Sequence, residues 1–219
     1  MIDPKTVPVL AADTHLPAVA AQHLQPPALR QRLLRPPRWQ PEVRHEPAFV
    51  ERAPSRAAVL MPVLLRPEPT LLFTERSAQM SNHPGQIAFP GGRIDAHDAD
   101  ATAAALREAE EEIGLVPQAV EVLGCLPNYH TGSAFVVTPV LALVQPGQVW
   151  HLNPHEVAAV FEVPLAFLMN PAHHRRHQLH WQGQLRQWFS MPYDDGVQEH
   201  YIWGATAGMV RNLYRLLSA

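Results

Sequence analysis

Cysteine is nearly missing from this chain of 219 residues, which holds one, Cys125. A lone thiol has no internal partner, so no disulfide framework supports the fold, and a reducing, cytoplasmic setting is the expectation. Cys125 itself reads as a small apolar residue of the core. Long apolar runs are missing too. None approaches the roughly 18 residues of a membrane span, and the first residues lack a charged start leading into an apolar stretch and a cleavage site, so no membrane partner is expected. A basic excess is also absent, because the formal net charge is −3. Holding nucleic acid by neutralising its phosphates needs a positive field, which argues against nucleic acid as a partner. There is no internal repeat and no low-complexity tract.

What remains is a chain rich enough in apolar residues, at 47%, for one substantial core but not two full domains. Its prolines cluster early, in "PPALRQRLLRPPRWQPE", where X-Pro pairs interrupt any long element apart from a short helix at Ala28–Leu34. Residues 1–27 read as an N-terminal extension and residues 28–219 as one domain. From Ala57 the texture changes to "AAVLMPVLL" and "TLLFTERS", two runs of strand length. Further strands are expected in "VEVLGCLPNYH" and "FVVTPVLALV". In "HEVAAVFEVPLAFLMN" a strand feeds a short helix opened by Pro164. "HQLHWQGQLRQWFSMPY" alternates about Gln182-Gly183 as a hairpin does. The closing segment places Met209, Val210, Leu213, Leu216 and Leu217 at helical spacing. The fold class is α+β, with helices covering a mixed sheet.

Between these strands lies "FPGGRIDAHDADATAAALREAEEEIGL", Phe89 to Leu115. Asp98 or Asp100 caps a helix that Gly114 and Pro117 end. Thr102, Leu106, Ala109 and Ile113 form an apolar stripe for the sheet, while Glu108, Glu111 and Glu112 share another face with Ala101, Ala104 and Ala105. Glu110 points to solvent. Carboxylates three and four residues apart repel, and anions near a helix C-terminus oppose its dipole. A hard divalent cation, Mg²⁺ or Mn²⁺, reverses the sign of that penalty and commonly joins carboxylates to phosphate oxygens. Arg107 is placed to orient one of the acids. The Gly91-Gly92 turn just upstream allows a phosphate or a helix to approach closely. Acid runs also occur on solvated helices that bind nothing, so the cluster alone is not diagnostic.

Gly92 together with "REAEEEIGL", Arg107 to Leu115, resembles the Nudix box, Gly-x5-Glu-x7-Arg-Glu-apolar-x-Glu-Glu-x-Gly-apolar. The resemblance implies the Nudix fold, an α/β/α sandwich. It also implies metal binding by Glu108, Glu111 and Glu112, catalytic work by Arg107, Glu108 and Glu111, and a glutamate positioned by Arg107. The loop from Gly92 to Arg107 is one residue longer than the general box and lacks its first glutamate. Ala99 stands at that place between Asp98 and Asp100. That lengthened loop and the upstream "LLFTERSAQMSNHPGQIAFPGG" are similar to the coenzyme A diphosphatase branch of the family. For this chain the likeness implies hydrolysis of coenzyme A to 4′-phosphopantetheine and adenosine 3′,5′-bisphosphate, with Arg76, Gly91, Gly92 and Arg93 on the substrate. The branch signature usually carries a second basic residue where Ser81 stands, leaving Arg76, His83 and Arg93 as local cationic or switchable groups. A nucleotide diphosphate of broader kind, such as ADP-ribose or NADH, and a silent nucleotide-binding module are the alternatives. A homodimer is left open.

Several other residues carry weaker signals. A glutamate beyond the box often serves Nudix enzymes as a further metal or base contact, and Glu156, Glu162 and Glu199 are the candidates. "HHRRHQLH" invites a metal reading through His174 and His180, against the commoner outcome of surface histidines on a strand. Trp181, Trp188 and Trp203 are candidates to stack on adenine or simply to pack.

Overall fold

The two longest apolar runs of strand length become the centre of the molecule. In the computed structural model, which describes residues 3–80, 82–181 and 183–219, the chain runs through β1 (Ala11–Ala12), α1 (Pro26–Leu34), β2 (Ser55–Leu64), β3 (Thr70–Arg76), β4 (Ile87–Ala88) and β5 (Gly91–Arg93). There follow α2 (Ala101–Ile113), β6 (Val120–Cys125), β7 (Tyr129–His130), β8 (Phe135–Val144), β9 (Val157–Pro164) and α3 (Leu165–Leu168). The chain closes with β10 (Arg175–Trp181), β11 (Gln184–Asp194), β12 (Glu199–Trp203) and α4 (Gly204–Leu217).

β2 and β8 pair in parallel from Ser55↔Phe135 to Leu64↔Val144. The rest of their sheet is antiparallel, in the order β4-β3-β2-β8-β6, with β5 on β2, β7 on β8 and β9 on β3. A sheet covered on both faces needs apolar side chains at nearly every position, which is why β2 reads as a continuous run. Ala58, Leu60 and Leu64 pack with Ala104, Ala105, Ala109 and Ile113 of α2. Ala57, Met61 and Val63 face the opposite way, into a core shared with Met209, Val210, Leu213 and Leu217 of α4. The expected mixed sheet between helices is therefore present. The terminal helix buries the five residues expected of it and others besides, including Arg211 and Asn212.

β2 and β3 pair only at Val63↔Leu71 and Leu64↔Thr70, after which β3 continues along β9. The hairpin expected around Gln182-Gly183 joins a second sheet, β1-β10-β11-β12, with Trp181 paired to Gln184. Gln182 lies outside the described residues. Cys125 is exposed, contrary to expectation. The register of β6 on β8 shifts between Val122 and Gly124, and a bulge of this kind changes which face the following side chain takes. No helix among the described residues is long and apolar enough to cross a membrane.

The first residues are stitched to the body. β1 pairs with β10 at Ala11↔Arg176 and Ala12↔Arg175. Asp13, 3% exposed, accepts hydrogen bonds from Arg176 Nε at 2.9 Å and Nη2 at 2.8 Å. It also lies 2.8 Å from Nη2 of Arg211, a side chain 1% exposed. Glu42 accepts from Arg176 Nη2 and Arg211 Nε, at 2.7 Å each. Burying the Arg211 guanidinium is tolerable only because two carboxylates meet it in this way, with Arg176 bracing the same pair from a half-exposed position.

Candidate active site

α2 carries the acids, and its ends are set by two local choices. Asp100 accepts a hydrogen bond from Ala103 N at 2.8 Å as N-cap, and Gly114 takes φ 70° at the C-cap. The helix sits rotated from the orientation its apolar residues suggested. Ala104, Ala105, Ala109, Ile113 and Glu112 are buried, whereas Thr102 and Leu106 lie only half-buried on the flank. Alanines allow a closer approach to the sheet than a threonine and leucine stripe would, and that approach brings the acids against β5. Gly92 meets Glu108 directly: a Cβ there would lie 2.5 Å from the carboxylate carbon and both its oxygens. Gly91, at φ 153°, donates its N–H to Glu112 Oε2 at 3.1 Å.

Arg107 organises the cluster's open side. Its Nη1 lies 3.0 Å from Glu108 Oε1 and donates to Glu111 Oε2 at 3.0 Å. Its Nε and Nη2 each donate to Asp98 at 3.0 Å, and Nη2 also reaches Arg93 O at 3.2 Å. Asp98 is held at about 2 by that guanidinium first and by the Asp95 N–H next. The sequence suggested Asp98 only as a cap. In the structure it anchors Arg107 from the lengthened loop, and the signal that could have found it was the missing acid beside Ala99.

Glu112 is 4% exposed, and burial pushes its carboxyl up to about 8 despite the Gly91 N–H, with Glu108 and Glu156 adding repulsion. Burial raises Glu108 as well, against the opposing pull of Arg107. Glu111 is the exposed member, with 56% of its side chain open. Glu110 is exposed, as expected.

Of the three downstream candidates, Glu156 joins this cluster. It repels both Glu108 and Glu112, accepts from Asn153 Nδ2 at 3.0 Å, and is tied by its carbonyl to Ser77 N at 2.8 Å. Glu162 is engaged elsewhere by Arg66 and Thr70. Glu199 lies 3.9 Å from Lys5. Arg76 ends β3 beyond a register shift and pulls electrostatically on Glu112, while its Nη2 contacts Asn82 O at 3.4 Å. Arg93 is exposed, with its guanidinium 5.6 Å from the Phe135 ring. His83 stands in the same loop at φ 56°. Ser81 lies outside the described residues.

The donor chemistry fits a divalent cation. Glu108, Glu112 and Glu156 repel one another, Arg107 neutralises only the side of Glu108 that faces Glu111, and hard oxygen ligands are what Mg²⁺ and Mn²⁺ take. Among the described residues, no three His, Cys, Asp or Glu side chains already converge closely enough to hold an ion by themselves. An open arrangement suits an ion that keeps waters and substrate oxygens among its ligands.

His174 and His180 do not form a second metal site. His180 is exposed, whereas His174 is fully buried, with Nε2 2.7 Å from Leu168 O and Nδ1 3.0 Å from Arg211 Nη1. The guanidinium has only protons to give, so Nδ1 accepts and Nε2 donates, which fixes a neutral imidazole. Trp181, Trp188 and Trp203 all line one cavity of about 680 Å³ beside the site.

The profile of the NUDIX domain family matches residues 54–191. A protein of Cronobacter sakazakii named "Uncharacterized Nudix hydrolase NudL" is 45% identical over 159 residues, which cover 72% of this chain and 80% of that protein. Its namesake in Salmonella heidelberg is 42% identical over 174 residues, covering 79% and 86%. Among solved structures, a Caenorhabditis elegans Ap4A hydrolase binary complex aligns with 22% identity and a TM-score of 0.44 over 54% of this chain and 85% of that one. A MutT/nudix family protein from Enterococcus faecalis aligns with 15% identity and a TM-score of 0.47 over 77% and 64%.

Proposed function

Since the chain belongs to the Nudix hydrolase family, whose members act on phosphoric anhydrides, we propose that its substrate is coenzyme A, cleaved at the diphosphate to 4′-phosphopantetheine and adenosine 3′,5′-bisphosphate. One observation carries this reading. The segment Leu71–Gly92, whose residues resemble the coenzyme A diphosphatase branch, folds back so that Gly91 and Gly92 touch Glu112 and Glu108 while Arg76 pulls electrostatically on Glu112.

Glu108, Glu112 and Glu156 are the groups that would hold the divalent ion, with Glu111 at their exposed margin. When bound, Mg²⁺ or Mn²⁺ neutralises the diphosphate oxygens as water displaces one phosphate from the other. The chain's own residues set the stage for that displacement. Arg107, braced by Asp98, fixes the carboxylates of Glu108 and Glu111. Gly91 fixes Glu112 through its N–H and, together with Gly92, leaves the backbone free of side-chain bulk where the diphosphate approaches. Arg76 offers positive charge on the substrate side of the acids.

The test is a panel of coenzyme A, ADP-ribose and NADH with Mg²⁺ or Mn²⁺, with products identified by mass. Coenzyme A turned over fastest to the two products above supports the proposal. Preferential hydrolysis of ADP-ribose overturns it, and nucleotide binding without hydrolysis under either metal marks a silent module instead.

A further inference from the structure

We propose that the aromatic cavity bounded by the β10–β11 hairpin, β12 and the loop after β3 seats the flat heteroaromatic base of the substrate; the inference rests on the coenzyme A reading only for the phosphates carried by the sugar of that nucleotide. The cavity measures about 680 Å³, enough for a nucleoside, and Trp181, Trp188, Trp203, Tyr201 and Phe49 contribute to its walls. Tyr201, Trp203 and Phe49 lie outside residues 54–191 and Trp181 and Trp188 inside, so the cavity is shared between the matched domain and the segments that flank it.

Its position connects it to the acidic cluster. Glu75 and residues 83–87 line it, and that loop is bonded to the phosphate-side arginine on both strands: Arg76 N to Gln86 O and Gly85 N to Arg76 O, each 3.0 Å. A ligand whose phosphates lie between Arg76 and the acids has the cavity on the other side of the same loop.

The lining chemistry selects what enters. Asp3, Glu75 and Glu199 outnumber Lys5 and Arg186, while burial raises the Glu46 carboxyl, which accepts from Tyr129 and Gly132. Arg186 is already spent on the carbonyl oxygens of Pro47 and Ala48, and its guanidinium lies over the rings of Trp181, at 4.8 Å, and Phe49, at 5.3 Å. A surplus of carboxylates turns a phosphate away and favours a neutral group, including one that carries an exocyclic amine. The aromatic walls are pre-set for a flat one. Trp188 is stacked on His177 at 5.4 Å and 9° and meets Trp203 edge-on at 6.5 Å, leaving little rotational freedom to lose on binding. Trp188 Nε1 and Arg186 Nε are covered donors with no acceptor among the described residues.

Three of the chain's five tryptophans line the cavity, so its occupancy is readable by intrinsic fluorescence. The experiment uses the full-length protein without metal, titrated with adenosine and separately with pantetheine. Adenosine is expected to quench and saturate, and Trp181→Leu and Trp203→Leu each to weaken its dissociation constant about tenfold, the usual scale for loss of one stacking ring. Far-UV circular dichroism and melting temperature identify a variant that has not folded, and the second variant then carries the test. Three results overturn the proposal: binding of pantetheine in place of adenosine, binding of neither, or adenosine affinity untouched in folded variants. If adenosine binds as described while coenzyme A is not hydrolysed, the inference stands and the substrate assignment falls.

Discussion

Gly92→Ala separates the chemistry from the fold with one added methyl group. The new Cβ would lie 2.5 Å from the Glu108 carboxylate carbon and both oxygens, where ordinary contacts begin near 3.4 Å, so the carboxylate must retreat by about 0.9 Å. Gly92 does not occupy the left-handed region, so alanine adopts its backbone without strain, and the clash falls on the mobile end of a side chain. The expected melting temperature is unchanged or slightly raised, because alanine loses less backbone freedom than glycine on folding. Hydrolysis should suffer, since Glu108 leaves the position that Arg107 Nη1 holds at 3.0 Å. A displacement near 1 Å in a reacting constellation costs about 100-fold in rate. Gly91→Ala is the control. Gly91 has φ 153°, and a Cβ there would sit 2.6 Å from Val59 Cα, a rigid backbone atom of β2. That variant should lose stability by more than about 1 kcal/mol whatever its activity. Initial rates with Mg²⁺ and thermal melts of both variants are the assay. A Gly92→Ala protein with wild-type rate, or one that melts as early as Gly91→Ala, refutes the reasoning.

Three further outcomes follow from the same structure. Glu112→Gln keeps an acceptor for the Gly91 N–H but removes a carboxyl whose ionisation is opposed by burial and by Glu108 and Glu156. Its melting temperature should match or exceed wild type while hydrolysis falls on the order of 100-fold or more, and full activity would remove Glu112 from the site. Asp13→Ala strips a buried acceptor from Arg211 and Arg176, and chemical denaturation should record a loss of about 3 kcal/mol; a loss below about 0.5 kcal/mol would show that the contact is idle. His174, facing Arg211, Leu168 O, Asp13 and His173, is pushed down to about 4, chiefly by burial. The unfolded chain takes that proton near 6.5, so the contribution of neutral His174 is complete above that pH and is lost as pH falls toward 4. It amounts to on the order of 3 kcal/mol. An NMR titration of the imidazole with a midpoint near 6.5 would contradict it.

The sequence was most readable where a single residue type has one local consequence. Asp100 and Gly114 bounded α2 because a carboxylate cap and a left-handed glycine act on their own neighbours. The runs of β2 and β8 were legible because both of their faces are covered. The rotation of α2 was not legible, since alanines contribute little to an apolar stripe while permitting the close approach that decides which side faces the sheet. Cys125 was misplaced because a bulge at Leu123, two residues earlier, is set by pairing with β8 and not by local composition. His174 looked like one of a pair along a strand until Arg211, 37 positions away, supplied its partner. For the same reason Asp98 showed only as a possible cap and Glu156 only as one of three candidates, as each acquires its role only when a loop closes on α2.

The clasp between the first residues and α4 bears on how the chain reaches its native state. Tyr214 donates to the carbonyl of Pro17 across 197 positions, and Arg211 meets Asp13 beside it. During ribosomal synthesis the early acid must wait for nearly the entire remainder to emerge before its partner arrives. Docking of the last helix is thus a late event whose closure entropy is repaid only at completion. Once seated, both ends should open together, with amide protons of β1 and α4 exchanging as one cooperative unit.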